Sequence, residues 1–238
     1  MSNYAALGNV QSFAELLERV ISRPRELPGM GVFYGWSGLG KTYSATYGAQ
    51  RHRAYYLECG ESWTKGAFCK KLLTELGKPT KGTVSDMIDE IIITLMNTDR
   101  PLIIDEFDHV VRRNYVETIR EIHDKSGAPI VIIGEEMLPQ NLKQWERFHN
   151  RILDWVAAEA CVLEDAKALQ QLYAPDVAIS DDLMGLIIAK TSGVTRRVCV
   201  NLNRINEVAT LEGLAEIDLA TWGNRTLYTG EAPARRIA

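Results

Sequence analysis

The sequence predicts an α/β fold with a parallel sheet, and two observations carry that prediction. Short apolar, β-branched runs alternate with helical stretches between about residues 30 and 163, the order that builds a sheet covered by helices. Two of those runs also end in chemistry. Gly31-Val32-Phe33-Tyr34 leads into Gly35-Trp36-Ser37-Gly38-Leu39-Gly40-Lys41-Thr42, and Leu102-Ile103-Ile104 ends in Asp105-Glu106.

The first motif is G-x-x-x-x-G-K-T, the Walker A loop, with a strand before it and a helix after it. A polyphosphate needs many donors close together, so the backbone itself must come within hydrogen-bond reach. Gly38 and Gly40 permit that curvature because they lack a Cβ. The N–H groups opening the following helix are unpaired and lie at the positive end of its dipole. Gly35, Ser37, Gly38, Leu39, Gly40, Lys41 and Thr42 are therefore the candidate nucleotide-binding residues. Lys41 supplies a point charge for the β- and γ-phosphates and the Thr42 hydroxyl a ligand for Mg²⁺.

The second motif has the Walker B pattern. An apolar central strand fits a parallel sheet buried on both faces, and its carboxyl end presents two acids. Asp105 is placed to hold Mg²⁺ through water, and Glu106 to orient and deprotonate an attacking water. A solvated acidic turn would give the same letters; the loop upstream argues for the catalytic reading.

The remaining elements follow in chain order. Ser12-x-x-Glu15 has a capping-box pattern, with Phe13, Leu16, Leu17, Val20 and Ile21 at helical spacing until Pro24 and Pro28 stop the helix. After the loop a helix is expected over 43–51 and a strand over 54–58. Ser62 is the expected cap of a helix reaching Leu76, and another helix spans 84–96. A helix over 114–125 precedes the fourth strand, 129–134. His109 and His123 read as packing or surface residues, since no acid or Cys cluster joins them. Leu138 to His149 reads as one helix, and the fifth strand falls within 152–163.

Beyond residue 163 the pattern becomes helical: 165–172, then a helix capped by Ser180 and reaching Lys190, then 195–211 with a stripe of Val198, Leu202, Ile205 and Val208. The expected organisation is a lead-in helix (1–30), an α/β nucleotide-binding core (31–163), a small all-helical lid (164–222) and a tail (223–238) that frays.

Composition excludes several classes. The chain has 238 residues, 46% hydrophobic and 24% charged, ordinary for a globular protein, and no apolar run approaches the ~20 residues of a membrane span. No membrane partner is expected. Met1-Ser2-Asn3-Tyr4 lacks the basic start and apolar core of a secretion signal, and Cys59, Cys69, Cys161 and Cys199 form no C-x-x-C pair. Reduced thiols in a cytoplasm fit best. A net charge of −4 gives no overall pull toward nucleic acid, so any such surface must be local.

Walker A at 35–42 and Walker B at 102–106, in a five-strand core with a helical segment after it, resemble an AAA+ ATPase over roughly residues 10–220. Within that superfamily the chain looks most like the B-type transposition ATPases of phage Mu and its relatives, themselves related to ATPase regulators of bacterial transposons. The residues that carry this are Gly29-Met30-Gly31-Val32-Phe33-Tyr34-Gly35, Phe148-His149-Asn150-Arg151-Ile152 and Ser192-Gly193-Val194-Thr195-Arg196-Arg197. The resemblance implies ATP hydrolysis, a homo-oligomer (ring or helical filament) in the ATP state, sequence-nonspecific binding of double-stranded DNA, and recruitment of a transposase. It also implies an arginine that reaches a neighbouring subunit's γ-phosphate: Arg151 matches that place best, with Arg147 as the alternative. Arg196, with Arg197 beside it, resembles the nucleotide-sensing residue of the lid. The departure is Gly134-Glu135-Glu136, where the family usually carries an uncharged polar residue.

Lys65, Lys70, Lys71, Lys78, Lys81, Arg112 and Arg113 are the candidate DNA contacts, binding through phosphate neutralisation; a solvated basic face balanced by acids elsewhere accounts for them equally. Two other functions share the core: a helicase loader or replication-initiation ATPase, and a signalling or scaffold NTPase that touches no DNA.

Overall fold

The structure, a computed structural model, describes residues 7–232; the start of the lead-in (1–6) and the end of the tail (233–238) lie outside the described residues. The chain forms two compact units. One comprises 9–36 and 41–158; the other takes Leu7, Gly8, 37–40 and the residues from Glu159 onward.

In the first unit, α1 (Gly8–Ser22) buries Phe13, Leu16, Leu17 and Val20. The helix is already running at Ser12, so Ser12-x-x-Glu15 caps nothing; Glu15 instead accepts from Gln11 at 2.8 Å. β1 (Met30–Tyr34) follows, then α2 (Lys41–His52) and β2 (Tyr55–Glu58). α3 (Lys65–Glu75) is capped by Thr64, whose hydroxyl accepts from the Ala67 N–H at 3.3 Å. Ser62 does not cap it, because the turn closed by Trp63 N–H on the Gly60 carbonyl delays the helix. α4 (Val84–Thr98) starts with a reciprocal capping box between Thr83 and Asp86.

β3 (Leu102–Asp105) is followed by a short helix that periodicity did not predict, α5 (Asp108–Arg112), and by α6 (Val116–Ser126) and β4 (Ile130–Gly134). The single helix expected over 138–149 is broken into α7 (Leu138–Leu142) and α8 (Glu146–His149). Geometry gives the reason. Leu142 and Phe148, six residues apart, would point about 120° apart on one continuous helix, yet both are buried, and Phe148 stacks on Phe107 with centroids 5.6 Å apart. β5 (Ile152–Ala157) completes the sheet.

The five strands run in the order β2-β3-β4-β1-β5, and every neighbouring pair is parallel. Val32, Ile104 and Ile132 from the three central strands share one core with Leu72, Ile91, Ile119, Phe107 and Phe148. This order puts the ends of β1 and β3 on either side of β4, where open parallel sheets bind ligands.

The second unit is built on α9 (Leu163–Tyr173), α10 (Asp181–Thr191) and α11 (Thr195–Glu212). Ser180 caps α10 as expected. The unit is not all-helical: β6 (Ala178–Ile179) and β7 (Glu216–Ile217) pair in parallel before α12 (Leu219–Trp222). The tail is tied down at Tyr228. The fully buried Asn201 amide donates to the Tyr228 carbonyl and its oxygen accepts the Tyr228 N–H, at 2.9 and 2.8 Å, so one side chain holds both faces of a backbone segment.

No helix among the described residues is long and apolar enough to cross a membrane. The four cysteines are unpaired, and burial pushes the Cys59 and Cys69 thiols up to about 12 and about 11. Such thiols stay protonated and are poor nucleophiles.

Candidate functional site

β1 ends at Tyr34 and the chain turns through 35–40 before α2 begins at Lys41. Gly38 and Gly40 both have φ near +87°, a backbone that a side chain would strain. Lys41 and Thr42 are thus the first residues of a helix whose leading N–H groups lack intrahelical acceptors. The Lys41 ammonium donates to the Gly35 carbonyl at 2.6 Å and the Trp36 carbonyl at 3.0 Å. Burial lowers its pKa, while Asp105, Glu106, Glu135 and Asp108 act in the opposite sense.

Thr42 and Asp105 stand 63 residues apart in sequence, yet the Thr42 hydroxyl donates to Asp105 Oδ2 at 2.8 Å. Asp105 is 2% exposed. These hard oxygen donors suit Mg²⁺, which is commonly held by one or two protein groups with waters and phosphate oxygens completing the shell. The residues present therefore fit that ion. Among the described residues no group of three or more His, Cys, Asp or Glu is arranged to hold a metal ion.

Glu106 lies just past β3 rather than in it, with φ +54°. A left-handed backbone costs a non-glycine residue about 1–2 kcal/mol, and the Glu106 N–H is fixed by the Asp105 Oδ1 at 2.8 Å. Burial first, then the Asp105 charge, raises the Glu106 pKa, with His109 and Lys41 opposing. A carboxylate so raised is a better proton acceptor.

Two residues at this end of the sheet escaped the motif reading. Tyr56 donates its hydroxyl to the same Asp105 Oδ2 that Thr42 uses, at 2.9 Å. Burial and the Asp105 charge push its pKa well up, so it remains a donor. The second is Asp108, 5% exposed, whose carboxylate accepts the Glu135 N–H at 2.7 Å. A Cβ on Gly134 would lie 2.4 Å from Asp108 Oδ2, so that contact requires glycine. The Glu135 side chain itself is exposed. The signal for Asp108 was a third acid three residues after Asp105; nothing short of the strand register points to Tyr56.

Within the second unit, Arg196 N–H donates to the Gly38 carbonyl at 3.0 Å, and a Cβ on Gly38 would sit 2.8 Å from Val194 Cγ1. The start of α11 therefore packs on Gly38, through the Arg196 N–H and the Val194 side chain.

The candidate trans-acting arginines differ. Arg147 is exposed on α8. Arg151 makes a bidentate pair with Asp124, Nε to Oδ1 at 2.7 Å and Nη2 to Oδ2 at 3.1 Å. Of the candidate DNA contacts, Lys65, Lys70 and Lys71 are exposed on α3, Lys81 is exposed in the loop after it, and Arg112 is exposed on α5. Lys78 pairs with Glu90 at 3.3 Å, and Arg113 donates to the Glu61 carbonyl at 3.1 Å.

Residues 25–142 match the AAA domain family. Among solved structures, the Aeropyrum pernix ORC2 protein, in ADPNP and ADP complexes, superposes with TM-score 0.65 at 15% identity over 88% of this chain and 64% of its own. Pyrobaculum aerophilum Cdc6p gives 0.63 at 16% identity over 87% and 62%. The Aeropyrum pernix ORC1 protein in complex with DNA gives 0.62 at 16% over 88% and 61%. The chain thus spans less than two thirds of each of these proteins, and at such identities the likeness establishes the fold, which is the P-loop AAA+ fold. No curated protein matches the chain in sequence.

Proposed function

We propose, for a chain with an AAA domain over residues 25–142, that it is an ATPase that assembles as a homo-oligomer on double-stranded DNA. The observation that supports the nucleotide chemistry best is the Thr42–Asp105 contact, which joins the two motifs at one point. The loop N–H groups and Lys41 bind the triphosphate, and Thr42 and Asp105 would hold Mg²⁺, which would supply charge neutralisation at the phosphates. Glu106 takes a proton from the attacking water. The new oxygen–phosphorus bond forms as the bond from the γ-phosphorus to the bridging oxygen breaks, and ADP leaves with that electron pair. Arg151 of a neighbouring subunit, or Arg147 in its place, stabilises the charge spread over the γ-phosphoryl oxygens. Arg196 reports the phosphates to α11.

The DNA surface is drawn from Lys65, Lys70, Lys71, Lys81 and Arg112, repeated around the assembly. Transposase recruitment is the partner reading that the sequence resemblance favours. Replication initiation or helicase loading is the second, favoured by the ORC and Cdc6 likeness. Gel shifts on duplex DNA with and without ATP test the proposal. Wild type should bind only with ATP and Lys41→Ala should not bind at all. Intact nucleotide affinity with no shift at low salt would leave a nucleotide switch without DNA. An ATP-dependent complex with a transposase, or instead with a hexameric helicase, separates the two partner readings.

A further inference from the structure

We infer that Asp124 is a positioning residue that latches Arg151 inside its own subunit, so that a neighbour's γ-phosphate must win the guanidinium from a carboxylate. The inference rests on the reading of Arg151 as the trans-acting arginine.

The Arg151 backbone is firmly mounted. Its carbonyl accepts the Met30 N–H at 3.0 Å at the edge of β1, and its N–H donates to the Phe148 carbonyl at 2.9 Å. Only the side chain is left to swing. That side chain is 38% exposed and that of Asp124 26%, so the pair sits at the surface where a neighbour can reach it. Asp124 also accepts from Arg120 Nη1 at 2.7 Å, and Arg120 in turn donates to Glu117 at 2.6 Å. Two guanidiniums and two carboxylates thus form one balanced network.

Asp124 stands in the last turn of α6, where the helix dipole disfavours an acid. The guanidiniums compensate. Burial alone would raise the Asp124 pKa, but the hydrogen bonds from Arg151 and Arg120 hold it below the usual carboxylate range. A partly exposed pair of this kind is weak enough to exchange. The γ-phosphate offers several anionic oxygens to the same planar fork. Arg120 sets the balance: it draws on Asp124 Oδ2, the oxygen that also takes Arg151 Nη2.

The two substitutions therefore act in opposite directions. Asp124→Asn frees Arg151. Arg120→Gln leaves the whole Asp124 charge to Arg151. ATP turnover per protomer is measured against protein concentration, with duplex DNA present, alongside thermal melts. Asp124→Asn should lower the half-maximal concentration about two- to fivefold, and Arg120→Gln should raise it by a similar factor. A merely structural network would shift both variants the same way. Movement in one direction by both, or by neither, while Arg151→Ala has lost turnover, overturns the latch and leaves the trans-arginine reading standing. Wild-type turnover in Arg151→Ala overturns that reading and the latch with it. If Asp124→Asn fails to fold, Arg120→Gln alone decides: a midpoint that does not rise overturns the latch.

Discussion

Asp105 and Asp124 are each a single carboxylate shared by two side-chain donors, and they are built for opposite purposes. Asp105 is almost fully buried, and its donors are all neutral: the Thr42 and Tyr56 hydroxyls and the Glu106 N–H. Asp124 is partly exposed, and its donors are two guanidiniums, from Arg120 and Arg151. Neutral donors around a buried carboxylate leave its negative charge intact and fix its direction. Charged donors around an exposed carboxylate cancel its charge and can be traded for another anion. The first arrangement suits a group that must not move during the reaction, the second a group that must.

The largest effects should come from breaking the fixed end. Glu106→Gln keeps the shape of the side chain and loses the base, so turnover should fall about 10²–10⁴-fold while ATP still binds and assemblies on DNA persist. Unchanged turnover would remove Glu106 from the chemistry. Lys41→Ala should lose ATP binding itself, measured by calorimetry, and every ATP-dependent property with it.

Next in size is Tyr56→Phe, which removes one hydroxyl from a buried carboxylate. A hydrogen bond to a charged group contributes about 1.5–3 kcal/mol, so urea unfolding should show a loss of that order, and turnover should need more Mg²⁺. If stability and the Mg²⁺ requirement both match wild type, Asp105 is not held by its neutral donors and the contrast with Asp124 collapses.

The fixed end was largely legible in the sequence because its residue types are rare in combination. Gly38, Gly40, Lys41 and Thr42, then Asp105 and Glu106, announce themselves without any knowledge of which strands touch. Tyr56 does not. It reaches Asp105 only because β2 pairs with β3 in a register that sets Tyr56 opposite Ile103 and Glu58 opposite Asp105. The Asp124–Arg151 pair is hidden for the same reason: it joins the end of α6 to the start of β5. The two-residue strands β6 and β7 are too short for any periodicity to show. The second-unit helices with caps or stripes, such as α10 after Ser180, match their sequence reading because those signals are local.

Salt sharpens the comparison further, with a smaller effect. Screening acts on exposed charges far more than on buried neutral donors. Raising NaCl from about 0.05 to about 0.5 M should shrink the difference in half-maximal concentration between wild type and Asp124→Asn, while the stability loss in Tyr56→Phe stays constant. A Tyr56→Phe loss that faded with salt in step with the Asp124→Asn difference would mean that the two carboxylates are alike after all.

The smallest effect lies beside the exchangeable end. His123 is buried in α6, and its Nδ1–H donates to the Ala128 carbonyl at 2.9 Å. Burial lowers its pKa against that bond; the Arg23 and Arg151 charges lower it further, and Asp124 raises it. The folded protein therefore binds fewer protons at this site than the unfolded chain. Stability from this residue is fully present above the unfolded pKa of about 6.5 and is lost as pH falls, by no more than about 1.4 kcal/mol per pH unit for one proton. Urea midpoints compared at pH 7 and pH 5.5 should fall less in His123→Gln than in wild type. In Asp124→Asn the carboxylate that favours protonation is gone, so the wild-type slope should steepen. A slope that falls in His123→Gln but stays at the wild-type value in Asp124→Asn would place His123 outside the electrostatic reach of Asp124; an unchanged slope in His123→Gln would remove His123 from the pH dependence.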